Sequence, residues 1–251
     1  MRAPRSPAKS QYRCRYGVAE VNRALIMRTN LLAPAAAAAA LAQATAADAV
    51  TADLAAEPPR LGRIQRRRGP AAATPGRPMH VRIAMASDEL AGTMEAVLSA
   101  TVAAVLLSGA ERPQDVRDVD VAVRRRELRL GIDPGTVRLI PEIGSALGLR
   151  ALPRMLDAID RCSAVALNTD ALAADLGLPG GPSSHLAVLG QAMAEVALSA
   201  SAARLPWVLL APALEAGARA ALAIHAHAHG AAGVYIASEP EAQGFNSLFA
   251  R

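Results

Sequence analysis

The sequence predicts an α/β protein, a single (βα)8 TIM-type barrel, on three observations. The chain has 251 residues, the usual length of such a barrel. Apolar residues make up 52% of it, enough for a large core. Eight short apolar runs alternate with helical patterns, which is the element order of a parallel sheet with helical crossovers.

The predicted strands are mostly apolar along their whole length, as expected where helices or core cover both faces of a parallel sheet. They span residues 30–33, 48–54, 80–86, 103–109, 137–143, 164–170, 207–211 and 233–238.

Helical patterns fill most of the gaps between these strands. The predicted helices span residues 35–46, 87–100, 113–130, 146–161, 185–203 and 212–229. Ser87 and Pro113 are typical of helix starts, and Gly230 is typical of a helix end. Residues 60–77 are the weak part of the pattern because two glycines and two prolines interrupt them.

The net charge of +5 belongs to the amino-terminal tail. Residues 1–26 carry six basic residues and one acidic residue, which leaves 21 of each in the remainder. Because residues 27–251 carry no net charge, they have no excess of basic residues to bind phosphates, and we expect no nucleic-acid partner. We expect 1–26 to be a basic tail, disordered or an upstream extension of a chain that starts at Met27, or a targeting segment. Residues 27–251 form the predicted barrel.

Cysteine and lysine usage narrows the chemistry. The two cysteines, Cys14 and Cys162, are too few for a disulfide framework or a zinc site, and a cytoplasmic location follows. No segment resembles a membrane span, so no membrane partner is expected. Lys9 is the only lysine, and a lysine in a polar tail does not supply a Schiff base or hold pyridoxal phosphate (PLP).

Two segments carry a family resemblance. Residues 137–148 (VRLIPEIGSALG) and 164–177 (AVALNTDALAADLG) resemble the I-E-T-A-x-G and F-G-x-E-D-L-x-x-D-L-G motifs of the citrate lyase β-subunit and malyl-CoA lyase family. Residues 27–34, 47–54 and 81–84 follow the family's earlier strands in register. The resemblance covers about residues 27–249.

The resemblance implies a barrel that binds Mg²⁺ and a small molecule, an acyl-CoA or an oxo acid. The implied reaction is reversible cleavage of a carbon–carbon bond between an acyl-CoA enolate and an oxo acid. A metal would polarise the oxo-acid carbonyl, and arginines would hold its carboxylate. A homo-oligomer, a trimer or a hexamer, is implied as well.

Position by position, the cationic part of the family pattern is kept and the anionic part is lost. The two arginines implied to bind the substrate carboxylate fall on Arg28 and Arg82. The metal-binding Glu and Asp fall on Gly144 and Ala171. The family's Pro-Lys pair falls on residues 108–109, its Asn on residue 84 and a second acidic pair on residues 55–56. The given sequence ends just after the predicted barrel, so we expect the family's carboxy-terminal lid segment, with its acid, to be absent.

Glu142 and Asp170 are the carboxylates nearest to the lost metal ligands, and we consider them as substitute ligands. Glu142 lies two residues before Gly144 and therefore points to the same side of the strand. The alternative is that Glu142 forms a buried ion pair with Arg82 and that Asp170 caps a helix.

His225, His227 and His229 form a further motif. On a helix, His225 and His229 share a face at a spacing that can bind a divalent metal. The alternative is an exposed last helical turn.

The sequence therefore indicates a CoA-ester lyase relative whose lyase activity is lost or much reduced. The alternative is a non-catalytic protein on the same barrel that binds an acyl-CoA, an oxo acid or a partner subunit.

Overall fold

The computed structural model of the protein describes residues 28–34, 38, 45, 47–55, 78–85, 90–180 and 184–250. The predicted tail over 1–26 and the interrupted segment 60–77 lie outside the described residues, as does most of the predicted helix over 35–46.

Eight parallel strands close into a barrel in sequence order. The strands are β1 (Thr29–Pro34), β2 (Ala49–Asp53), β3 (Met79–Ala84), β4 (Val102–Ser108), β5 (Arg138–Ile143), β6 (Val165–Asn168), β7 (Trp207–Leu210) and β8 (Gly233–Ile236). Strand β1 pairs with β8 from Thr29↔Val234 onward, which closes the ring. The predicted (βα)8 fold class is confirmed.

Seven helices lie in the described residues on the outside of the strands. They are α1 (Leu90–Val97), α2 (Pro113–Leu130), α3 (Ala146–Leu156), α4 (Thr169–Asp175), α5 (Leu186–Ala202), α6 (Ala216–Ala228) and α7 (Glu239–Leu248). Helix α2 has the predicted bounds, and Gly131 ends it in the left-handed region at φ 69°. No helix in the described part of the chain combines the length and apolar character needed to cross a membrane.

The sixth strand ends two residues earlier than the sequence predicts. Asn168 is the cause, because its side-chain oxygen accepts a hydrogen bond from the backbone N–H of Ala171 at 3.0 Å. This bond makes Asn168 the N-cap of α4, and the helix begins at Thr169. Residues 169–170, predicted as strand, are therefore helical.

Alternate strand residues point to two different cores, as the two-residue period of a strand requires. Val105 and Leu107 of β4 pack outward against the helices, together with residues such as Leu152 of α3. Ala104 and Leu106 point into the barrel.

The lower part of the barrel interior contains a buried polar chain. The Asn30 side-chain amide donates to Nδ1 of His80 at 3.0 Å, and the Thr51 hydroxyl donates to the Asn30 side-chain oxygen at 2.8 Å. An amide nitrogen only donates, so Nδ1 of His80 is an acceptor and the proton lies on Nε2. Burial lowers the pKa of His80 to about 4, which keeps this ring neutral.

Candidate active site

Five polar side chains come from five consecutive strands at the carboxyl end of the barrel: Asp53, Arg82, Ser108, Glu142 and Asn168. Register explains why they meet, since Asp53 lies beside Arg82 and Ser108 lies beside Glu142 on neighbouring strands. Matched positions on parallel strands point to the same face. In such barrels this end carries the chemistry.

Arg82 and Glu142 form a two-point ion pair inside the barrel. Nε of Arg82 lies 2.6 Å from Oε2 of Glu142, and Nη2 lies 2.7 Å from Oε1. The Glu142 side chain is 1% exposed. Two parallel charge-assisted bonds are the strongest arrangement that an arginine makes with a carboxylate.

The remaining donors of Arg82 are also used. Nη1 donates to both side-chain oxygens of Asp53 at 3.1 Å, and Nη2 donates to the Ser108 hydroxyl at 3.1 Å. A guanidinium has five N–H donors, and these contacts together with the Glu142 pair occupy five. Burial by itself would lower the pKa of Arg82, but bonds and charges from Glu142 and Asp53 raise it above its ordinary value.

Glu142 also accepts hydrogen bonds from two residues other than Arg82. Besides Arg82, its Oε1 accepts from the Ser108 hydroxyl at 3.0 Å and from the Asn168 amide at 2.7 Å. The Asn168 amide therefore holds Glu142 with its nitrogen while its oxygen caps α4. Two carboxylates and one guanidinium leave this network, Asp53–Arg82–Glu142, with one net negative charge.

Glu142 and Asp170, the predicted substitute metal ligands, form hydrogen bonds with different partners. Glu142 belongs to the network just described. Asp170 lies in the first turn of α4, where its Oδ2 accepts from the backbone N–H of Ala213 at 2.6 Å. Burial raises the pKa of Asp170 above its ordinary value. The predicted helix cap at Asp170 is wrong: Asn168 caps α4, whereas Asp170 ties α4 to the segment after β7.

The residues present do not fit a Mg²⁺ ion. Hard divalent cations need several oxygen ligands, and the family positions hold Gly144 and Ala171, which have no side-chain oxygen. A Cβ built on Gly144 would lie 2.8 Å from the Cβ of Ala171, so no gap separates them. Within the described residues there is no group of three or more His, Cys, Asp or Glu arranged to hold a metal.

Arg28 and Arg82, the predicted carboxylate-binding residues, are not brought together. Arg28 immediately precedes β1, at the amino end of the barrel. Its backbone N–H and its Nε both donate to Asp48, at 2.8 and 3.4 Å, and its side chain is 42% exposed. It lines a cavity of about 640 Å³ beside Trp207 and His229, whereas Arg82 lies toward the carboxyl end.

A smaller cavity of about 190 Å³ opens at the carboxyl end. Its lining is mostly apolar and comes from the ends of β1, β2, β7 and β8: Leu32, Ala33, Pro34, Asp53, Pro212, Tyr235, Ile236 and Ala237. Asp53 joins this cavity to the ion-pair network. Burial raises the pKa of the Tyr235 phenol, and the nearby Glu142 charge raises it further.

Ser108 and Asn168 are the site residues whose roles sequence reasoning missed. Asn168 falls inside a predicted strand, although Asn followed by Thr-Asp is a helix-start signal that places it at a strand end. Ser108 is identified in the sequence only as the residue that replaces a family proline. Its hydroxyl contacts both Arg82 and Glu142, which no local pattern reveals.

Comparisons with known proteins agree with this architecture. Residues 31–237 match the model of a protein family described as HpcH/HpaI aldolase/citrate lyase. Comparison with curated protein sequences finds no match.

Similar solved structures include three with 12–18% identity to this chain. Malate synthase from Haloferax volcanii, in a ternary complex with pyruvate and acetyl-CoA, has a TM-score of 0.71, 16% identity, and coverage of 90% of this chain and 70% of that chain. A citrate lyase from Burkholderia xenovorans has a TM-score of 0.69, 12% identity, and coverage of 89% and 77%. RipC from Yersinia pestis has a TM-score of 0.65, 18% identity, and coverage of 89% of this chain and 95% of that chain. At these identities the likeness shows the fold.

Proposed function

Because the chain belongs to the HpcH/HpaI aldolase/citrate lyase family, we propose that it is a relative of the CoA-ester carbon–carbon lyases whose lyase activity is lost or much reduced. The observation that carries this proposal is the saturation of Arg82. Its five donors are used by Glu142, Asp53 and Ser108.

Cleavage of a carbon–carbon bond next to an oxo acid needs two kinds of stabilisation. A cationic donor must hold the carboxylate of the oxo acid, and an electrophile must stabilise the charge that develops on its carbonyl oxygen. Arg82 would have to release Asp53 or Glu142 to bind a carboxylate. Each such missing stabiliser commonly costs about 10²–10³ in rate, and here both are compromised.

Net charge at the site supports the same conclusion. The network of Asp53, Arg82 and Glu142 is negative by one charge, so it repels an oxo-acid anion rather than attracting it. A substrate carboxylate also displaces Glu142 or Asp53 from Arg82 only at a cost, because the displaced buried carboxylate loses its partners.

Assays of purified protein with malyl-CoA and citramalyl-CoA, with Mg²⁺ and with EDTA, test this proposal. An active carbon–carbon lyase of the family serves as the positive control in the same assay. We expect no cleavage above the protein-free rate. Clear turnover that EDTA abolishes would overturn the proposal.

The second candidate is a non-catalytic protein that binds an acyl-CoA, an oxo acid or a partner subunit on the same barrel. The cavity of about 190 Å³ next to Asp53 favours it. Sites for drug-sized ligands run from about 300 to 1,000 Å³, so this cavity fits a small oxo acid or a short acyl group rather than a whole coenzyme.

Calorimetry with oxaloacetate, glyoxylate and acetyl-CoA tests the binding role. On this second candidate, glyoxylate or oxaloacetate gives only weak heat, because Arg82 must release Asp53 to bind the anion. Arg82→Ala removes that heat and Arg28→Ala leaves it unchanged, since Arg28 lies at the opposite end. Thermal unfolding of each variant checks that it folds. Absence of heat, or heat that Arg82→Ala leaves intact, would count against binding at this site.

Assembly and location belong to the same proposal. The family resemblance supports a homo-oligomer, a trimer or a hexamer, which light scattering on the purified chain tests.

The free, buried Cys162 supports a cytoplasmic location, since disulfides mark oxidising compartments, and cell fractionation tests it.

A further inference from the structure

Two histidine side chains converge at the end of α6. His225 and His229 are four residues apart, and their ring centroids are separated by 4.6 Å. Both Nε2 atoms face Gly190 of α5. A Cβ built on Gly190 would lie 3.1 Å from Nε2 of His225 and 3.6 Å from Nε2 of His229. The two nitrogens therefore approach one point where the neighbouring helix has no side chain.

The hydrogen bond of His229 determines which of its nitrogens is available. Nδ1 of His229 lies 2.9 Å from the backbone oxygen of His225. A carbonyl oxygen only accepts, so Nδ1 must carry a proton. In the neutral ring, Nε2 then has a free lone pair. A backbone carbonyl on the other ring nitrogen is the usual support of a metal-binding histidine.

His225 supplies the second nitrogen. Its Nε2 is buried and has no hydrogen-bond partner among the described residues. A buried polar atom without a partner is costly, so a group that binds this nitrogen would stabilise the fold. The predicted exposed turn is thus wrong, because all three histidines are partly buried, and His225 and His229 face Gly190 of α5.

We propose that His225 and His229 bind a divalent transition-metal ion of the zinc, copper or nickel class. Imidazole is a good ligand for these ions, whereas Mg²⁺ prefers oxygen. With bonds of about 2.0–2.1 Å, one ion can bridge two nitrogens that are no more than roughly 4 Å apart. Water molecules complete the coordination, and His229 also borders the cavity of about 640 Å³.

Gly190 is part of this site. A glycine inside a helix costs roughly 0.5–1 kcal/mol relative to alanine, so its presence within α5 needs a reason. A methyl group there would come within 3.1 Å of the His225 nitrogen and occupy the space that the ion needs.

Titration calorimetry with ZnCl₂ on the full chain tests the proposal, in a Cys14→Ser background that removes the tail thiol. We expect one ion per chain, with affinity reduced at least tenfold by His225→Ala and by His229→Gln, and reduced also by Gly190→Ala. The matched control is His227→Ala, because the His227 ring packs edge-on against Phe249 at 5.2 Å. That variant should keep the affinity.

Electron paramagnetic resonance with Cu²⁺ gives a second readout that needs no variant. Splitting from two nitrogen ligands supports the site. No binding, a spectrum with one nitrogen or none, or an affinity that survives both histidine changes would overturn it. An equal loss in His227→Ala would overturn it as well.

Discussion

A Cβ built on Gly144 would lie 2.8 Å from the Cβ of Ala171. Such a distance is shorter than two carbon atoms tolerate, so the end of β5 and the first turn of α4 approach each other only because Gly144 has no side chain. The closeness of these two positions also explains why a carboxylate cannot be put back at one of them without moving the backbone.

Gly144→Ala is expected to destabilise the protein by about 1–3 kcal/mol, the usual cost of overpacking a well-packed region. The added methyl group must push against Ala171. Urea unfolding followed by circular dichroism measures the change.

Gly244→Ala in α7 is the matched control. Nothing lies within 4 Å of a Cβ at Gly244, so alanine is expected to stabilise α7 by roughly 0.5–1 kcal/mol. Opposite signs for the two Gly→Ala changes are the expected result, and a neutral Gly144→Ala would contradict the close contact.

Glu142→Ala is expected to cost about 3 kcal/mol of unfolding free energy. Removing one partner of a buried ion pair costs roughly 3–5 kcal/mol, and Asp53 remains on Arg82, which favours the lower end. Chemical denaturation gives the value. Arg129→Ala, which breaks an exposed pair with Glu95, should cost less than about 1 kcal/mol. Equal losses in the two variants would argue that Glu142 contributes no more than a surface charge.

His80 makes stability depend on pH below 6.5. The folded pKa is about 4 and the unfolded value is about 6.5. Above 6.5 the ring is neutral in both states and contributes no pH dependence. Between 6.5 and 4 the unfolded chain binds a proton that the folded protein does not, so unfolding becomes easier as pH falls, by up to about 3 kcal/mol at pH 4.

Unfolding curves of the wild type and His80→Gln, measured from pH 8 to 4, check this. The difference between the two proteins isolates His80, because other titrating groups are common to both. We expect the wild type to lose more stability than the variant across this range. Parallel curves would show that the ring is not held neutral.

Asp53→Asn is expected to strengthen binding of glyoxylate or oxaloacetate at least tenfold, or by about 1.4 kcal/mol. The change removes the net negative charge of the network and leaves Arg82 balanced by Glu142 alone. Calorimetry measures it. Asp48→Asn, beside Arg28 at the amino end, is the control that should have no effect, and similar behaviour of the two variants would place the anion elsewhere.

The strands follow closely from the sequence because a parallel strand covered on both sides must be apolar throughout. Where a strand ends at a different residue than predicted, a local polar hydrogen bond explains the difference. Asn168 ends β6 by capping α4, an effect of one side chain that an apolar run conceals.

The positions of the site residues follow less directly from the sequence than the strands do, and Arg28 shows why. A motif match gives a residue's position along the chain but not its height in the barrel. Arg28 lies six positions before Pro34 at the end of β1, and a rise of about 3.3 Å per residue puts it roughly 20 Å from the carboxyl end. For Glu142 the sequence allows either a metal or Arg82 as the partner, because the alternation of side chains along a strand gives the face on which Glu142 lies but not the group that it contacts there.

The Asn168 amide donates to Glu142 with its nitrogen and accepts from Ala171 with its oxygen. Hydrogen exchange at the Ala171 backbone N–H therefore reports on the position of Glu142. Any event that withdraws Glu142 from Asn168 frees the amide to turn, and the first turn of α4 then loses its restraint. Deuterium uptake at Ala171 would accelerate at that moment. An investigator can thus follow the state of the buried carboxylate from a single peptide hydrogen at the start of a neighbouring helix.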